Sequence, residues 1–357
     1  MLKKVIPFLL LVCVVVGSYV YRAEIKAFFF KDTRSINKVQ KTLLIRGGLD
    51  MVRLSSILEE EGIVKSKQDV LQYAEENQLM DTLLSPGKYL VLPQTRLGNL
   101  VSSFVVDPET GHGVSEMKVN VSFNYCRDIY DMASNISKCI ESDSASLIQY
   151  ITSEEFLKEQ GVTKEQLPSL FLVDDYEMYF DLDSRAFMVE MLKIYHAYWN
   201  DENLARLEML PVKTPSEVAT LGSIVYSESS RSTEEWPIIA GLYLNRLKTN
   251  TPLQSDPTFK FCWGDKLIGV EDLTYKHRDI DCPYNTYLYN GLPPGPICFL
   301  KREVLDAVLN AEKHDYIFMM AKPGGEGHNF ARTNREHEKN RELYRKWRQE
   351  VKNRSND

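Results

Sequence analysis

The stretch Thr214–Ser230, TPSEVATLGSIVYSESS, constrains the fold more than any other. Thr214 suits an N-cap, Pro215 falls at the first helical position, and Glu217 completes a capping box, so the spacing predicts a helix. At about 100° per residue, Val218, Leu221, Ile224 and Val225 share one arc, which must be buried against other apolar stripes. Glu228 falls inside the same arc, one turn beyond Ile224. Burial penalises an ionised carboxyl, so an acid placed there tends to keep its proton, and a proton-holding carboxyl in a cleft is a candidate general acid. The bland alternative is a partly exposed glutamate at a fraying helix end, turned sideways to water.

The next segment reads as the partner of that helix. Ser232 and Glu235 have capping-box spacing, and Trp236, Ile239, Ala240, Tyr243, Leu244 and Leu247 form an apolar stripe read purely as core, with Asn245 and Arg246 pointing off it. Polar, turn-rich stretches follow: TPLQSDPT at 251–258, YNTYLYNGLPPGPI at 284–297 and GGEGHNF at 324–330. Loops present polar groups without burying bare backbone, although a Pro/Gly-rich loop is often only a connector.

The blocks SIVYSES, LNRL, LQSDPT, YNTY, GLPPGPI and GGEGHNF…EHEKN resemble, in order and spacing over about 215–345, the catalytic domain of the MltG (YceG-like) endolytic murein transglycosylase family. The resemblance implies a peptidoglycan lyase that cuts the MurNAc–GlcNAc bond within glycan strands and leaves a 1,6-anhydro end on MurNAc. The family's helix motif resembles IVEKET, where this chain has Ile224-Val225-Tyr226-Ser227-Glu228-Ser229. Its first glutamate is a tyrosine here, so Glu228 is the position onto which the catalytic role carries. One carboxyl can suffice in such a reaction. The sugar's own C6 hydroxyl attacks the anomeric carbon, and the same glutamate protonates the leaving oxygen and then takes the hydroxyl proton. Ordinary glycosidases need two carboxylates.

Gln254, Asp256, Tyr284, Asn285 and Thr286 match family blocks and are expected to hydrogen-bond the sugars. Asp256-Pro257 and Asn285-Thr286 are equally good turn formers, so a purely structural role stands beside that expectation. His328 belongs to a family block and is placed at the cleft, with a structural role as the alternative; Asn245 is a candidate brace for the site. The resemblance implies no metal and no organic cofactor. Its implied partners are peptidoglycan glycan strands and peptidoglycan synthases, with growing strands terminated by the cut. Two other readings are a non-catalytic peptidoglycan-binding scaffold and a hydrolytic muramidase using Asp256 as a second carboxylate.

Val5–Tyr21 is an uncharged apolar run, at the short end for a membrane-spanning helix, preceded by Lys3 and Lys4 and without an evident cleavage box. It is read as an uncleaved anchor with a cytoplasmic N-terminus, although Arg22, Lys26 and Lys31 on its far side weaken the charge rule. The resemblance implies the same arrangement: a single-pass inner-membrane protein with a periplasmic body. The 357 residues allow two or three domains, 43% hydrophobic content permits a sizeable core, and a net charge of −7 gives no basic footprint for nucleic acid.

Cys13 lies in the apolar run, and Cys126, Cys139, Cys262, Cys282 and Cys298 are widely spaced with no CxxC pair, which argues against zinc. In an oxidising compartment some can pair, Cys262 with Cys282 for example, but spacing leaves the connectivity open. No HExxH arrangement occurs among the histidines, and His314 and His337 look peripheral.

The expected class is α+β: a tail 1–4, an anchor 5–21, a charged spacer 22–40, a β-α-α-β module 41–104, an intermediate α/β region 105–205 and a catalytic domain 206–357. In the module, TLLI is a strand, Gly47-Gly48 a turn, and a helix carrying Leu54, Ile57 and Leu58 ends at Gly62. A second helix starts near Ser66, and SPGKYLVL turns into a strand. That order resembles a LysM-like module, which in the family precedes the catalytic domain and binds glycan; a merely positioning role is the alternative. DPETGHG (107–113) is a linker or hairpin tip, 145–205 is mostly helical with breaks near Gly161 and Pro168, and the charged C-terminal helix, capped by Thr333 with Glu336, presents a solvated face.

Overall fold

A computed structural model describes residues 33–124, 126–267, 270 and 274–354. The tail and the anchor at 5–21 lie outside the described residues, as does the spacer before Thr33. Among the described residues no helix is long and apolar enough to cross a membrane. The fold is mixed α+β and divides into two compact units. The first runs through Val121 and adds Ser137–Ser142 and Tyr176–Asp183; the second comprises Ser122–Ile136, Asp143–Asp175 and Ser184–Asp357.

The first unit opens with strand β1 (Lys41–Ile45), helices α1 (Met51–Glu60) and α2 (Lys67–Glu76), and strand β2 (Gly87–Val91). The strands are antiparallel, with Lys41 opposite Val91 and Ile45 opposite Gly87. Alternation puts Leu43 and Ile45 inside and Leu44 outside. Asp50 caps α1 by accepting from Arg53 N at 2.7 Å, and Ser66 caps α2. Leu54, Leu58, Val70, Ala74, Tyr89 and Phe104 form its core, each at most 1% exposed. The strand–helix–helix–strand order expected for 41–104 is present. Helix α3 (Leu97–Ser102) follows. Residues 107–113 are a hairpin tip: Asp107 N donates to His112 O, and Val106 bridges Gly113.

Strand β3 (Val119–Ser122) pairs with β4 (Asp175–Met178). Between them come α4 (Ile129–Ile136), α5 (Ser144–Ile151) and α6 (Glu154–Gln160), which stops at the left-handed Gly161. A 3₁₀ turn at Leu167–Leu170 carries Pro168, and α7 (Ser184–Tyr198) and α8 (Asp201–Glu208) complete this helical stretch.

The second unit is organised around α9 (Pro215–Glu228), with α10 (Trp236–Lys248) and α13 (Arg302–Leu309) beside it; α11 (Asp256–Trp263) and α12 (Tyr275–Arg278) lie between them in sequence. The Thr214/Glu217 capping box forms as expected. The single apolar arc, however, understates the burial: Ser216, Thr220 and Ser223 are also inside, so α9 is enclosed on nearly all sides. Their hydroxyls are satisfied locally, Thr220 Oγ1 on Ser216 O and Ser223 Oγ on Thr220 O, which makes a polar residue tolerable in a core helix. Gly222 gives room to Leu300 and the start of α13, since a Cβ there would lie 3.0 Å from Leu300 Cδ1 and 3.5 Å from Val304 Cγ1. Leu221, Ile224, Ile239, Ala240, Val304 and Val308 are wholly buried; burying each of the five larger side chains contributes roughly 1.5–3 kcal/mol.

Strands β5 (Phe318–Ala321) and β6 (His328–Ala331) form an antiparallel hairpin that sets His328 opposite Ala321. Helix α14 (Asn334–Arg354) is capped by Thr333 and Glu336 and buries no residue, consistent with a solvated charged helix.

Candidate active site

Glu228 is the last residue of α9 and is half-buried. Its Oε1 accepts two hydrogen bonds, from Tyr243 Oη at 2.8 Å and from Ser255 Oγ at 2.5 Å. Both donors are enclosed, Tyr243 at 1% exposure and Ser255 at 0%. Burial is the largest influence on the carboxyl and pushes its pKa up; the two donors oppose that, Asp256 adds to it, and His328 in its charged form would pull it down. With both donors on Oε1, Oε2 is the oxygen left to carry an acid proton.

Ser255 stands at the N-cap of α11, yet its side chain caps nothing, because the hydroxyl is turned to Glu228. A lost cap costs about 1 kcal/mol, so the helix start is compromised for the carboxyl. Thr286 holds the displaced residue: its Oγ1 accepts from Ser255 N at 3.0 Å, and its carbonyl accepts from Gln254 N. Gln254 itself is exposed and adopts φ +49°, a strained conformation for a side-chain-bearing residue. Thr258 Oγ1 closes the knot on Ser255 O and Thr286 Oγ1.

Asn285 is fully buried, donates from Nδ2 to the carbonyls of Arg278 and Ile280, and accepts from Tyr287 N. Asn285 and Thr286 thus sit inside the loop, with their side-chain polar groups turned to neighbouring chain. Asp256 is half-buried, and its Oδ1 accepts from Tyr287 Oη at 2.6 Å. Tyr284 packs on Phe261, centroids 4.6 Å apart, and burial pushes its phenol up to about 12. Cys262 and Cys282 form a disulfide that ties α11 to the start of this loop.

Arg246 does not point away from the core: it is 9% exposed, and its guanidinium donates to the carbonyls of Leu253 and Ile317. It therefore clamps the chain just before Gln254 and Ser255. Asn245 donates to the carbonyls of His314 and Tyr316 and so holds the approach to β5.

Glu235 does not complete a capping box with Ser232, which makes no side-chain cap. Its carboxylate is instead buried against the β5–β6 hairpin, where it accepts from His328 N at 2.7 Å and pairs with His328 Nδ1 at 2.8 Å. Gly327, at φ +79°, allows this approach, since a Cβ there would collide with Glu235 Oε1. Ser229, next to Glu228, reaches the same Glu235 carboxylate at 3.5 Å and accepts Trp236 Nε1 on its carbonyl at 2.7 Å. His328 is thereby fixed in the surroundings of Glu228.

A groove of about 1240 Å³ lies within the second unit and reaches Ser230, two residues past Glu228. Tyr226, Trp236, Phe261 and Phe299 form aromatic walls, and Arg127 and Asp265 also line it, paired at 2.9 Å. A groove with aromatic faces and a half-buried acid nearby in sequence suits a ligand of polar rings.

Sequence reasoning missed Tyr243, Ser255, Glu235 and Tyr287. One signal was available: a tyrosine or a glutamate on an otherwise apolar stripe needs a polar partner once buried.

Residues 43–343 match the YceG-like family, and the chain belongs to it. It is 38% identical over 128 residues to the endolytic murein transglycosylase of Bacillus subtilis, covering 36% of this chain and 34% of that protein. It is 28% identical over 158 residues to the endolytic murein transglycosylase of Streptococcus pneumoniae R6, covering 43% of this chain and 27% of that one. The matched part thus spans about a third or less of these relatives' length. A solved yceG-like protein from Listeria monocytogenes shares the fold, with a TM-score of 0.52 at 24% identity over 85% of this chain and 99% of that one.

Proposed function

We propose that the protein is an endolytic peptidoglycan lytic transglycosylase with Glu228 as its acid. The observation that carries this reading is the half-buried Glu228 carboxyl, held on one oxygen by Tyr243 and Ser255, with its pKa pushed up chiefly by burial. Glu228 Oε2–H gives its proton to the oxygen bridging MurNAc to GlcNAc, and the bond from C1 to that oxygen breaks. The C6 oxygen of the same MurNAc bonds to C1, and its proton passes to the Glu228 carboxylate, which restores the acid. The products are a 1,6-anhydroMurNAc end and a free GlcNAc hydroxyl, with no water consumed. Family membership and the names of the relatives support the substrate class.

Gln254, Asp256, Tyr284 and His328 are the proposed sugar-facing residues, while Asn285 and Thr286 brace the loop that presents Ser255. Around this site we place the rest of the protein as follows. The apolar run 5–21 anchors the chain in the membrane with the body outside, and the β-α-α-β unit is LysM-like and contacts glycan. The cut terminates strands made by nearby peptidoglycan synthases.

The test is digestion of purified sacculi by wild type and Glu228→Gln, with products read by mass spectrometry. Anhydro ends from the wild type and a loss of about 10²-fold or more in the variant are expected. Reducing ends would indicate a hydrolase, absence of cleavage a scaffold, and full activity of the variant would remove Glu228 from the mechanism.

A further inference from the structure

We propose that Asp256 is a second catalytic residue, an anionic partner of Glu228 whose free carboxylate oxygen faces the sugar carbon that becomes positive as the glycosidic bond breaks. The proposal rests on the reading of Glu228 as the acid.

Ser255, whose hydroxyl touches Glu228, and Asp256 are consecutive, so their Cα atoms are ~3.8 Å apart, and Asp256 lies near enough to act on the Glu228 carboxyl through its charge. Asp256 opens helix α11, where the exposed N–H groups favour a negative charge. Tyr287 donates to its Oδ1 at 2.6 Å, and among the described residues Oδ2 has no hydrogen-bond partner. Tyr287 is in turn fixed by its backbone bond to the buried Asn285 and by Arg278, whose guanidinium lies 5.2 Å over its ring.

The neighbours treat the two carboxyls differently. Glu228 is desolvated although two hydroxyls donate to it, whereas Asp256 stands in the first turn of α11 and accepts from one phenol. Paired carboxyls in contrasting surroundings are the pattern of one acid and one charge stabiliser. Asp256 makes and breaks no bond. While the C1–O bond lengthens and before the C6 oxygen has closed on C1, its carboxylate offsets the positive charge on C1 and the ring oxygen. In the rival chemistry Asp256 itself bonds to C1, water later releases the sugar, and a reducing end results.

The experiment uses the full chain as wild type, Asp256→Asn and Tyr287→Phe, with kcat and KM on purified glycan strands across a pH series and product ends by mass spectrometry. The charged and titratable groups around Glu228 are Tyr243 and Arg246 on α10, Asp256 on α11, Tyr287, and His328 on β6. Asp256 raises the Glu228 pKa, so removing its charge lets Glu228 ionise more readily, and the basic limb of kcat moves to lower pH. D256N is expected to lose about 10²-fold in kcat with KM changed by no more than about threefold, because asparagine still accepts from Tyr287. Y287F is expected to lose about tenfold in kcat.

A wild-type kcat in D256N with an unmoved basic limb overturns the proposal, as does a sugar adduct on Asp256. Thermal melts check folding, and should D256N fail to fold, Y287F decides: wild-type kcat there is equally fatal. Failure of Asp256 alone appears as an inactive E228Q beside an active D256N; a wild type that leaves no anhydro ends removes both readings together.

Discussion

Tyr243 and Ser255 place the Glu228 proton by occupying the same carboxylate oxygen. Each donor stabilises the ionised form, so losing either raises the Glu228 pKa further. Activity that needs the protonated acid is lost as pH rises through that pKa. Tyr243→Phe and Ser255→Ala should therefore extend the basic limb of the pH–rate profile upward while lowering the optimum rate about tenfold through looser positioning. A downward shift in either variant would contradict this placement. Arg246 makes a different prediction. Its buried guanidinium satisfies the carbonyls of Leu253 and Ile317, and Arg246→Met leaves them without a donor. A loss of about 2–4 kcal/mol is expected by denaturant titration, and near-wild-type stability would show that other groups hold the loop. The sequence marked Tyr243 as needing a polar partner but could not name that partner or show the clamp made by Arg246. Arg246 and Tyr243 lie on the helix where a clamp, a core residue and a solvated side chain look the same until the 250–256 and 314–317 segments fold over them.

Helices were the more legible elements. The Thr214–Glu217 box, the caps at Ser66 and Thr333 and the break at Gly161 are local chemistry, and each forms where the residues place it. The Ser232–Glu235 spacing failed because a tertiary donor, His328, binds the glutamate more effectively than an exposed N-cap does. The same competition takes Ser255 from its helix. Spacing allowed the Cys262–Cys282 bridge without selecting it, since pairing depends on where α11 and the following loop meet. Removing it with Cys262→Ser and Cys282→Ser together should destabilise the second unit by roughly 3 kcal/mol, given a separation of 20 residues, and a melt unchanged by reductant would oppose that.

In the first unit the hairpin tip brings His112 to Asp181, 2.7 Å apart, beside Glu116, whose pKa is pushed up to about 7 chiefly by burial and then by Asp181. A raised folded pKa favours the protonated fold, so this contribution is complete below the unfolded value and is lost as pH rises through about 7. Stability of the unit should fall from about pH 4.5 to 7, and Glu116→Gln should flatten that slope; an equally steep slope in the variant would assign it to other groups.

At the scale of the whole molecule, the first unit draws on three separate stretches of chain. Residues 137–142 and 176–183 join 41–121 through Arg46 to Ile140 O, Phe180 N to Glu116 and Ser85 to Asp181. A reading along the sequence sees consecutive segments and cannot anticipate such returns, which is why the stretch 105–205 divides between both units. A fragment beginning at residue 105 loses the packing around Ile140, Phe180 and Leu182, now at most 6% exposed. Limited proteolysis of that fragment should cut first within 137–142 or 176–183; resistance there would mean these segments hold without the first hundred residues.

The most direct measurement is an infrared difference spectrum of the whole protein at neutral pH, wild type minus Glu228→Gln. A band from a protonated carboxylic C=O is expected, because desolvation outweighs the two donors on Oε1. A carboxylate band in its place would mean that Glu228 has no proton to give.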